Sequence, residues 1–150
     1  MSHFDPSVGH DLLDAHHRVI AGCLEQLRER LAAKDRDGLV EVLNHLWDEV
    51  LVHFASEDAL MEAQAYPERM AHRVSHQLFQ EDLDRLRSEL AGHGFSERVE
   101  DAIARRLPDW FEYHVVTNDV PLAVHLARRT AAGIVAATMK GSTATKNPRS

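Results

Sequence analysis

The sequence predicts an all-α protein, an up-down-up-down, left-handed four-helix bundle that is followed by a short C-terminal helix. Apolar residues recur at alternating steps of four and three along four long segments, and this repeat predicts left-handed helix packing. The segments are separated by short polar loops. No segment alternates between apolar and polar residues as a strand would. With 150 residues in all, the chain is expected to form one domain around a sizeable core.

The first helix is expected to begin near His10 or Asp11 and to run to about Lys34. Its apolar stripe is Leu13, His17, Ile20, Leu24, Leu27 and Leu31. His17 lies on this stripe, whereas a shift of one residue turns the neighbouring His16 by about 100° away from it. His17 is therefore predicted to point into the core.

The second helix is expected to be capped by Asp37 and to end near Ala65. Its stripe is Leu39, Leu43, Leu46, Val50, His53, Glu57 and Leu60. His53 and Glu57 are four residues apart and therefore share the face that the leucines occupy. A buried carboxylate and a buried imidazole both need partners, which a metal ion or their mutual hydrogen bond would supply.

The third and fourth helices carry histidines on their stripes as well. The third is expected over residues 67–91, because Pro67 suits a first turn, and its stripe is His72, His76, Phe79, Leu83, Leu86 and Leu90. Ser96 is a candidate cap for the fourth, whose stripe is Ile103, Leu107, Trp110 and His114. Pro108 lies inside this fourth helix and is expected to kink it or to shift its start.

The rhythm breaks after His114, because Asp119 follows five residues later. On a straight helix Asp119 would point well away from His114, so the helix must end or distort between them. Asn118 with Asp119, followed by Pro121, predicts a stop, a new cap and a short helix that ends at about Arg129.

The domain is expected over residues 1–131, and residues 132–150 are expected to be a flexible tail or a linker.

The composition of the chain limits its possible functions. The net charge of −7 argues against nucleic acid and anionic membranes as partners. With a single cysteine, Cys23, and no apolar run long enough to span a bilayer, a cytoplasmic location is expected. The anomaly is the number of histidines, eleven in all, which are scattered along the chain.

Each of the four stripes carries histidine, and five imidazoles come together if the stripes face one core: His17, His53, His72, His76 and His114. Two carboxylates, Glu57 and Asp119, join them. Five imidazoles in one small core would leave many polar atoms unsatisfied without a metal. One tetrahedral zinc ion takes four ligands and would leave three of these side chains unused, so two metal ions fit better. Carboxylate-rich di-iron bundles need more glutamates than the stripes contain.

These motifs resemble the hemerythrin family, in particular the bacterial hemerythrins. The resemblance extends over about residues 8–126 and is carried by Asp14-Ala15-His16-His17, His53-Phe54, Glu57-Asp58, Met61, Tyr66-Pro67, His72, His76, Phe79, Trp110, His114 and Asp119. It implies a non-haem di-iron centre with a bridging oxo or hydroxo group. In this family one iron would be bound by His72, His76 and His114, the other by His17 and His53, and both by Glu57 and Asp119.

The resemblance also implies the chemistry. One coordination position would remain open on the iron that has two histidines, which suits reversible binding of O2 for carriage, storage or sensing. The oxidised centre would take small anions such as azide. No catalytic residue is assigned. The alternatives are a di-iron redox enzyme (an oxidase, a peroxidase or a nitric-oxide-handling protein), the O2 or redox sensory domain of a longer signalling chain, and a purely structural metal bundle.

Four further residues are candidates for the surroundings of the centre. Phe54, Phe79 and Trp110 are expected to line an O2 pocket and to keep water out, although ordinary core packing explains them equally well. Asp14 lies one turn before His17, where it would accept a hydrogen bond from a ligand imidazole, cap the helix or remain solvated.

Overall fold

The computed structural model describes residues 4–143 and shows helices throughout, with no strand among the described residues. The helices are α1 Asp11–Ala32, α2 Arg36–Ala63, α3 Arg69–His93, α4 Glu97–Asp101, α5 Leu107–His114 and α6 Val120–Thr143. Two single π-helical turns, Ala102–Arg106 and Val115–Asp119, join α4 to α5 and α5 to α6. The last three helices therefore form one continuous rod, which completes the predicted four-helix bundle.

The helix starts follow local hydrogen bonding. The imidazole of His10 caps α1 by accepting from the backbone N–H of Leu13 at 3.3 Å. The predicted cap of α2 was wrong: Asp35, not Asp37, occupies that position, and its carboxylate accepts from the N–H of Gly38 at 3.0 Å. Asp37 lies in the first turn instead, where a negative charge favours the positive end of the helix dipole.

The ends of α3 differ by two residues from the expectation. The helix begins at Arg69 because residues 67–68 form a turn, and it ends at His93. Gly94 follows with a φ of 65°, a left-handed conformation that glycine adopts without steric cost. Ser96 caps α4 as predicted, accepting from the N–H of Val99 at 3.3 Å.

Each π-helical turn is followed, after one residue, by a proline. The N–H of Leu107 bonds to the carbonyl of Ala102 just before Pro108, and the N–H of Val120 bonds to that of Val115 just before Pro121. A wide turn skips one of the regular helical hydrogen bonds, and a proline has no N–H to leave unpaired. The two prolines thus fit the wide turns of this rod, and the helix continues through both of them.

The predicted stop at Asn118 and Asp119 was therefore wrong, and so was the predicted end at Arg129. The helix distorts at the π-helical turn and then continues as α6 to Thr143. Its residues 127–141 are all exposed. The remainder of the predicted tail, residues 144–150, lies outside the described residues. Within residues 4–143, no helix combines the length and the apolar character that crossing a membrane requires.

The predicted stripes form the core, and a layer of buried histidines and carboxylates divides this core into two parts. A large apolar cluster extends from Ile20 along α1 and through the other helices to one end of the bundle. A small cluster contains Leu13, Met61, Tyr66, Leu122 and Leu126. Three stripe residues, Leu31, Leu60 and Trp110, are only partly buried, whereas Phe111, which the prediction did not assign to a stripe, is buried in the core.

Candidate metal centre

The seven predicted ligand side chains converge in one buried layer across the bundle, and none is more than 5% exposed. Helix α1 contributes one, α2 and α3 contribute two each, α5 contributes one and the second π-helical turn contributes the last: His17, His53 and Glu57, His72 and His76, His114, and Asp119. No single helix could present so many polar groups to one point. The bundle brings them together.

Helical spacing explains four of these positions and the π-helical turn explains the last. His53 and Glu57, like His72 and His76, are one α-helical turn apart and share a face. His114 and Asp119 are five residues apart, which on an α-helix would separate their directions by about 140°. The π-helical turn Val115–Asp119 absorbs the extra residue, so that an oxygen of Asp119 lies 3.0 Å from Nε2 of His114.

The ligand atoms form two groups that share both carboxylates. In each group the nitrogen and oxygen atoms lie within 4.8 Å of one another. One group has three imidazoles, those of His72, His76 and His114, and the other has two, those of His17 and His53. Glu57 and Asp119 belong to both, as bridging ligands would.

The four oxygens of the two carboxylates show how the sharing is arranged. Oδ2 of Asp119 lies 2.8 Å from Nε2 of His17, while its Oδ1 lies 3.1 Å from Nε2 of His72. Glu57 divides in the same way, with Oε1 against His53 and Oε2 at 2.6 Å from Nε2 of His72. Each carboxylate thus directs one oxygen to each group.

The hydrogen bonding of this layer is incomplete in a way that fits bound metal. Eight buried side-chain atoms among the described residues make no contact with hydrogen-bond geometry, although most of them lie within ion-pair distance of one another. All eight belong to this layer: His53 Nε2, Glu57 Oε1 and Oε2, His72 Nδ1 and Nε2, His76 Nε2, His114 Nε2 and Asp119 Oδ1. Unpaired buried polar atoms are costly. Seven of the eight are the nitrogen and oxygen atoms that a metal ion would bind, so the donor set suits cations that accept imidazole and carboxylate.

Three of the imidazoles are held from behind by groups outside the layer. Nδ1–H of His17 donates to the carbonyl of Pro6 at 2.8 Å. Nδ1 of His114 lies 2.8 Å from Oγ of Ser75, and Nδ1 of His53 lies 3.0 Å from Nδ1 of His16. Such contacts fix the orientation of a ligand imidazole and leave Nε2 free for the metal.

The charges in the layer favour ionised carboxylates. Burial and the neighbouring Glu57 raise the pKa of Asp119, but three surrounding imidazoles outweigh them and hold it at about 2. Burial lowers the pKa of His72, whereas Asp119 and Glu57 raise it, and the result is about 9. Burial prevails at His76 and lowers its pKa to about 4. Burial and the adjacent His53 also lower the pKa of His16, which disfavours the protonated form of this outer imidazole.

The predicted aromatic residues lie beside the three-histidine group. Phe54 stacks on the ring of His76 at 3.7 Å, and Trp110 stacks on His114 at 4.6 Å. Phe79 stacks in turn on Trp110 at 4.1 Å. Two of the three therefore pack directly against imidazoles of this group, and the third contacts it through Trp110.

Asp14 holds the N-terminal arm, the non-helical residues 4–10 that precede α1. Its Oδ1 accepts from the backbone N–H of Val8 at 2.6 Å. The imidazole of His17, one turn later, has the Pro6 carbonyl as its outer acceptor. Asp14 thus fixes the arm that carries this acceptor.

Sequence reasoning missed four residues that surround the ligands. Phe111 contacts the ring of His17 edge-on at 5.7 Å and was hidden by the assignment of Trp110 to the stripe. Pro6 acts through its backbone carbonyl, so its side chain carries no signal. Ser75 is next to His76, and His16 is next to His17; adjacency to a predicted ligand was the available signal for both.

Comparison with known proteins agrees with this geometry. The family model described as the hemerythrin HHE cation-binding domain matches residues 8–120. The chain belongs to the hemerythrin family. Bacteriohemerythrin of Stenotrophomonas maltophilia (strain R551-3) is 29% identical over 115 residues, which cover 77% of this chain and 73% of the relative. Bacteriohemerythrin of Methylococcus capsulatus is 26% identical over 116 residues, 77% of this chain and 86% of the relative.

A solved structure shows the same fold. This hemerythrin chain superposes on the crystal structure of a leucine-to-phenylalanine mutant with a TM-score of 0.73, over 84% of this chain and 96% of the other. The sequence identity of the pair is 23%, so the likeness concerns the fold alone.

Proposed function

We propose that this hemerythrin binds O2 reversibly at a non-haem di-iron centre. The observation that carries the proposal is the pair of ligand groups that share Glu57 and Asp119. Two ions held by common carboxylates are close enough to act on one diatomic molecule together. If the five imidazoles and two carboxylates hold two irons, the pair would supply the two-electron chemistry that reversible O2 binding requires.

The donor set favours iron over zinc or magnesium. Five imidazoles and two carboxylates give more nitrogen than magnesium prefers, and the sharing of both carboxylates exceeds what one tetrahedral zinc ion uses. His72, His76 and His114 would hold one iron, and His17 with His53 would hold the other. The second group has one imidazole fewer, which leaves it the more open of the two to an exchangeable ligand such as O2 or azide.

The chain's own residues keep the site dry and orient the ligands. Leu13, Met61 and Leu122 are fully buried on one side of the layer. Val50 and Phe111 belong to the large cluster on the other side. With water excluded, protons reach the centre slowly, and this favours release of O2 over its irreversible reduction.

The test begins with the metal content. Protein made in iron-sufficient cells should contain two irons per chain by elemental analysis. The ferrous protein, prepared anaerobically, should acquire an intense visible absorption band on addition of one equivalent of O2. Purging with argon should bleach the band and restore the ferrous spectrum.

Three other results would contradict the proposal. One metal per chain, or mainly zinc, would exclude the di-iron centre. Two irons with no response to O2 would indicate a structural metal bundle. A band that never returns to the ferrous baseline, with ferric protein accumulating after a single exposure, would indicate an oxidase or another redox enzyme. Azide added to the ferric protein should occupy the exchangeable position and shift its spectrum.

A further inference from the structure

The contact between His16 and His53 is unusual because two imidazoles meet through the same type of nitrogen. Their Nδ1 atoms are 3.0 Å apart, within hydrogen-bond distance. The rings are nearly perpendicular, with an interplanar angle of 88° and centroids 5.1 Å apart. His53 is buried, whereas His16 lies at the edge of the bundle and is only partly buried.

Proton accounting assigns the direction of this hydrogen bond. Nε2 of His53 faces Glu57 and belongs to the two-histidine group, so a metal bound there would take the Nε2 lone pair. A neutral imidazole then carries its proton on Nδ1. Nδ1–H of His53 must therefore donate, and Nδ1 of His16 must accept through its own lone pair. His16 keeps its proton on Nε2.

Helix α1 thereby contributes to the two-histidine group in two ways. It supplies His17 as a ligand, and its His16 accepts the hydrogen bond from His53 of α2. Both imidazoles of this group are held by groups at the edge of the bundle, since His17 donates to the carbonyl of Pro6. In the three-histidine group the corresponding contact is that of His114 with Ser75.

We propose that His16 is a positioning residue for His53. By accepting from Nδ1–H, it selects the tautomer that presents the Nε2 lone pair, holds the plane of the ring and makes His53 a more basic ligand. His16 does not bind the metal itself. The inference rests on the proposed two-metal centre, and it concerns only the two-histidine half of that centre.

Two substitutions separate accepting a hydrogen bond from filling space. His16→Gln keeps an acceptor, the amide oxygen, but loses the ring. His16→Phe keeps a ring of similar shape but cannot accept. Ser75→Ala is the matched control, because it removes the corresponding contact in the three-histidine group. Circular dichroism should show that all three variants are as helical as the natural chain.

The first measurement is stepwise Co²⁺ binding to the metal-free protein. His16→Phe should weaken one of the two binding steps by about 10–100-fold, the usual effect of removing such a contact. His16→Gln should stay close to the natural chain. When His17→Ala has already removed the two-histidine group, His16→Phe should have no further effect on the remaining site, whereas Ser75→Ala should still weaken it.

The second measurement is direct. In the zinc-loaded protein, nitrogen-15 NMR should show His53 protonated on Nδ1 and His16 protonated on Nε2. The reverse tautomers would overturn the inference, as would unchanged Co²⁺ affinity in His16→Phe or equal losses in the Phe and Gln variants. If the natural chain binds two Co²⁺ ions and His16→Phe binds them with the same affinities, only the proposed role of His16 is refuted. If the natural chain binds fewer than two ions, the proposed function fails with it.

Discussion

His17 is the single residue of α1 in the ligand layer, and it joins the first helix to the last through Asp119. Replacing it by alanine should abolish the two-histidine group, because only His53 would remain there besides the shared carboxylates. We expect iron content to fall from two per chain to about one, as elemental analysis would show. His45→Ala is the control, since His45 is exposed on α2 and should leave the iron content unchanged. A full complement of iron in His17→Ala would contradict the assignment.

The imidazole of His72 gives the metal-free protein a specific pH dependence. Its pKa is about 9 in the fold, against an ordinary value of 6.5, because Asp119 and Glu57 outweigh burial. A raised pKa stabilises the fold fully below pH 6.5, and this stabilisation is lost as the pH rises through about 9. Urea unfolding of the metal-free protein should therefore show a declining free energy of unfolding over this range.

A variant isolates that contribution. His72→Gln should flatten the alkaline decline, whereas His45→Gln should retain it. The acid side behaves differently: burial lowers the pKa of His76 to about 4, so protonation destabilises the fold as the pH falls from 6.5 towards 4. An alkaline decline that persists unchanged in His72→Gln would show that another group causes it.

At the scale of the helices, the cap of α2 allows a matched comparison. Asp35→Ala removes the carboxylate that accepts from Gly38, and loss of such a cap typically costs about 1 kcal/mol. Asp37→Ala removes only a charge in the first turn and should cost about 0.3–1 kcal/mol at low salt. Chemical denaturation would measure the loss of free energy of unfolding in each variant. A larger loss in Asp37→Ala than in Asp35→Ala would show that Asp37 is the cap.

The second π-helical turn contains one residue more than an α-helix needs. Deleting Thr117 would leave His114 and the aspartate four residues apart, the spacing that puts both on one face of an α-helix. We therefore expect the deletion to convert the turn to α-helix and to retain both irons. Deleting Val74, an exposed residue in the regular helix α3, should instead rotate the rest of its stripe by about 100° and lose the metal.

Elemental analysis and circular dichroism would compare these two deletions. Loss of iron in the Thr117 deletion, with helix content preserved, would show that the widened geometry itself is required. The prediction depends only on counting residues along the helix, so it tests the origin of the turn independently of the metal's identity.

At the scale of the whole molecule, the buried layer of candidate ligands joins all four rods of the bundle. A ligand that binds only the folded state at about 1,000 times its Kd adds about 4 kcal/mol, or roughly 8–16 °C in Tm for a domain of this size. Differential scanning calorimetry of loaded and chelator-treated protein should show a shift of this order. An equal Tm for both forms would mean that metal does not bind the folded protein in preference to the unfolded chain.

Most of the fold and the inward placement of six of the seven ligand candidates were predictable, because the 3.5-residue repeat fixes which side chains face the core. Asp119 lies off that repeat, and only the family resemblance indicated it. His53 and Glu57 could be placed by the leucines around them. The path between His114 and Asp119 could not, because Asn118 and Pro121 resemble a helix end while the buried position of Asp119 requires the helix to continue. The hydrogen bonds that hold the ligand imidazoles from outside the layer could not be predicted either. The contact of His17 with Pro6 uses a backbone carbonyl, and the contact of His53 with His16 depends on how α1 packs against α2.

The continuous last rod also has a mechanical property. Asp119 is both a member of the ligand layer and the residue directly before α6, whose 24 residues extend for about 36 Å. Residues 127–141 of this helix are exposed, so most of its length projects beyond the core. A tilt of α6 by about 5° about Asp119 would displace the far end of the helix by about 3 Å. A small movement of the Asp119 carboxylate that tilted α6 would therefore reach the far end of the helix as a displacement about as large as an atom.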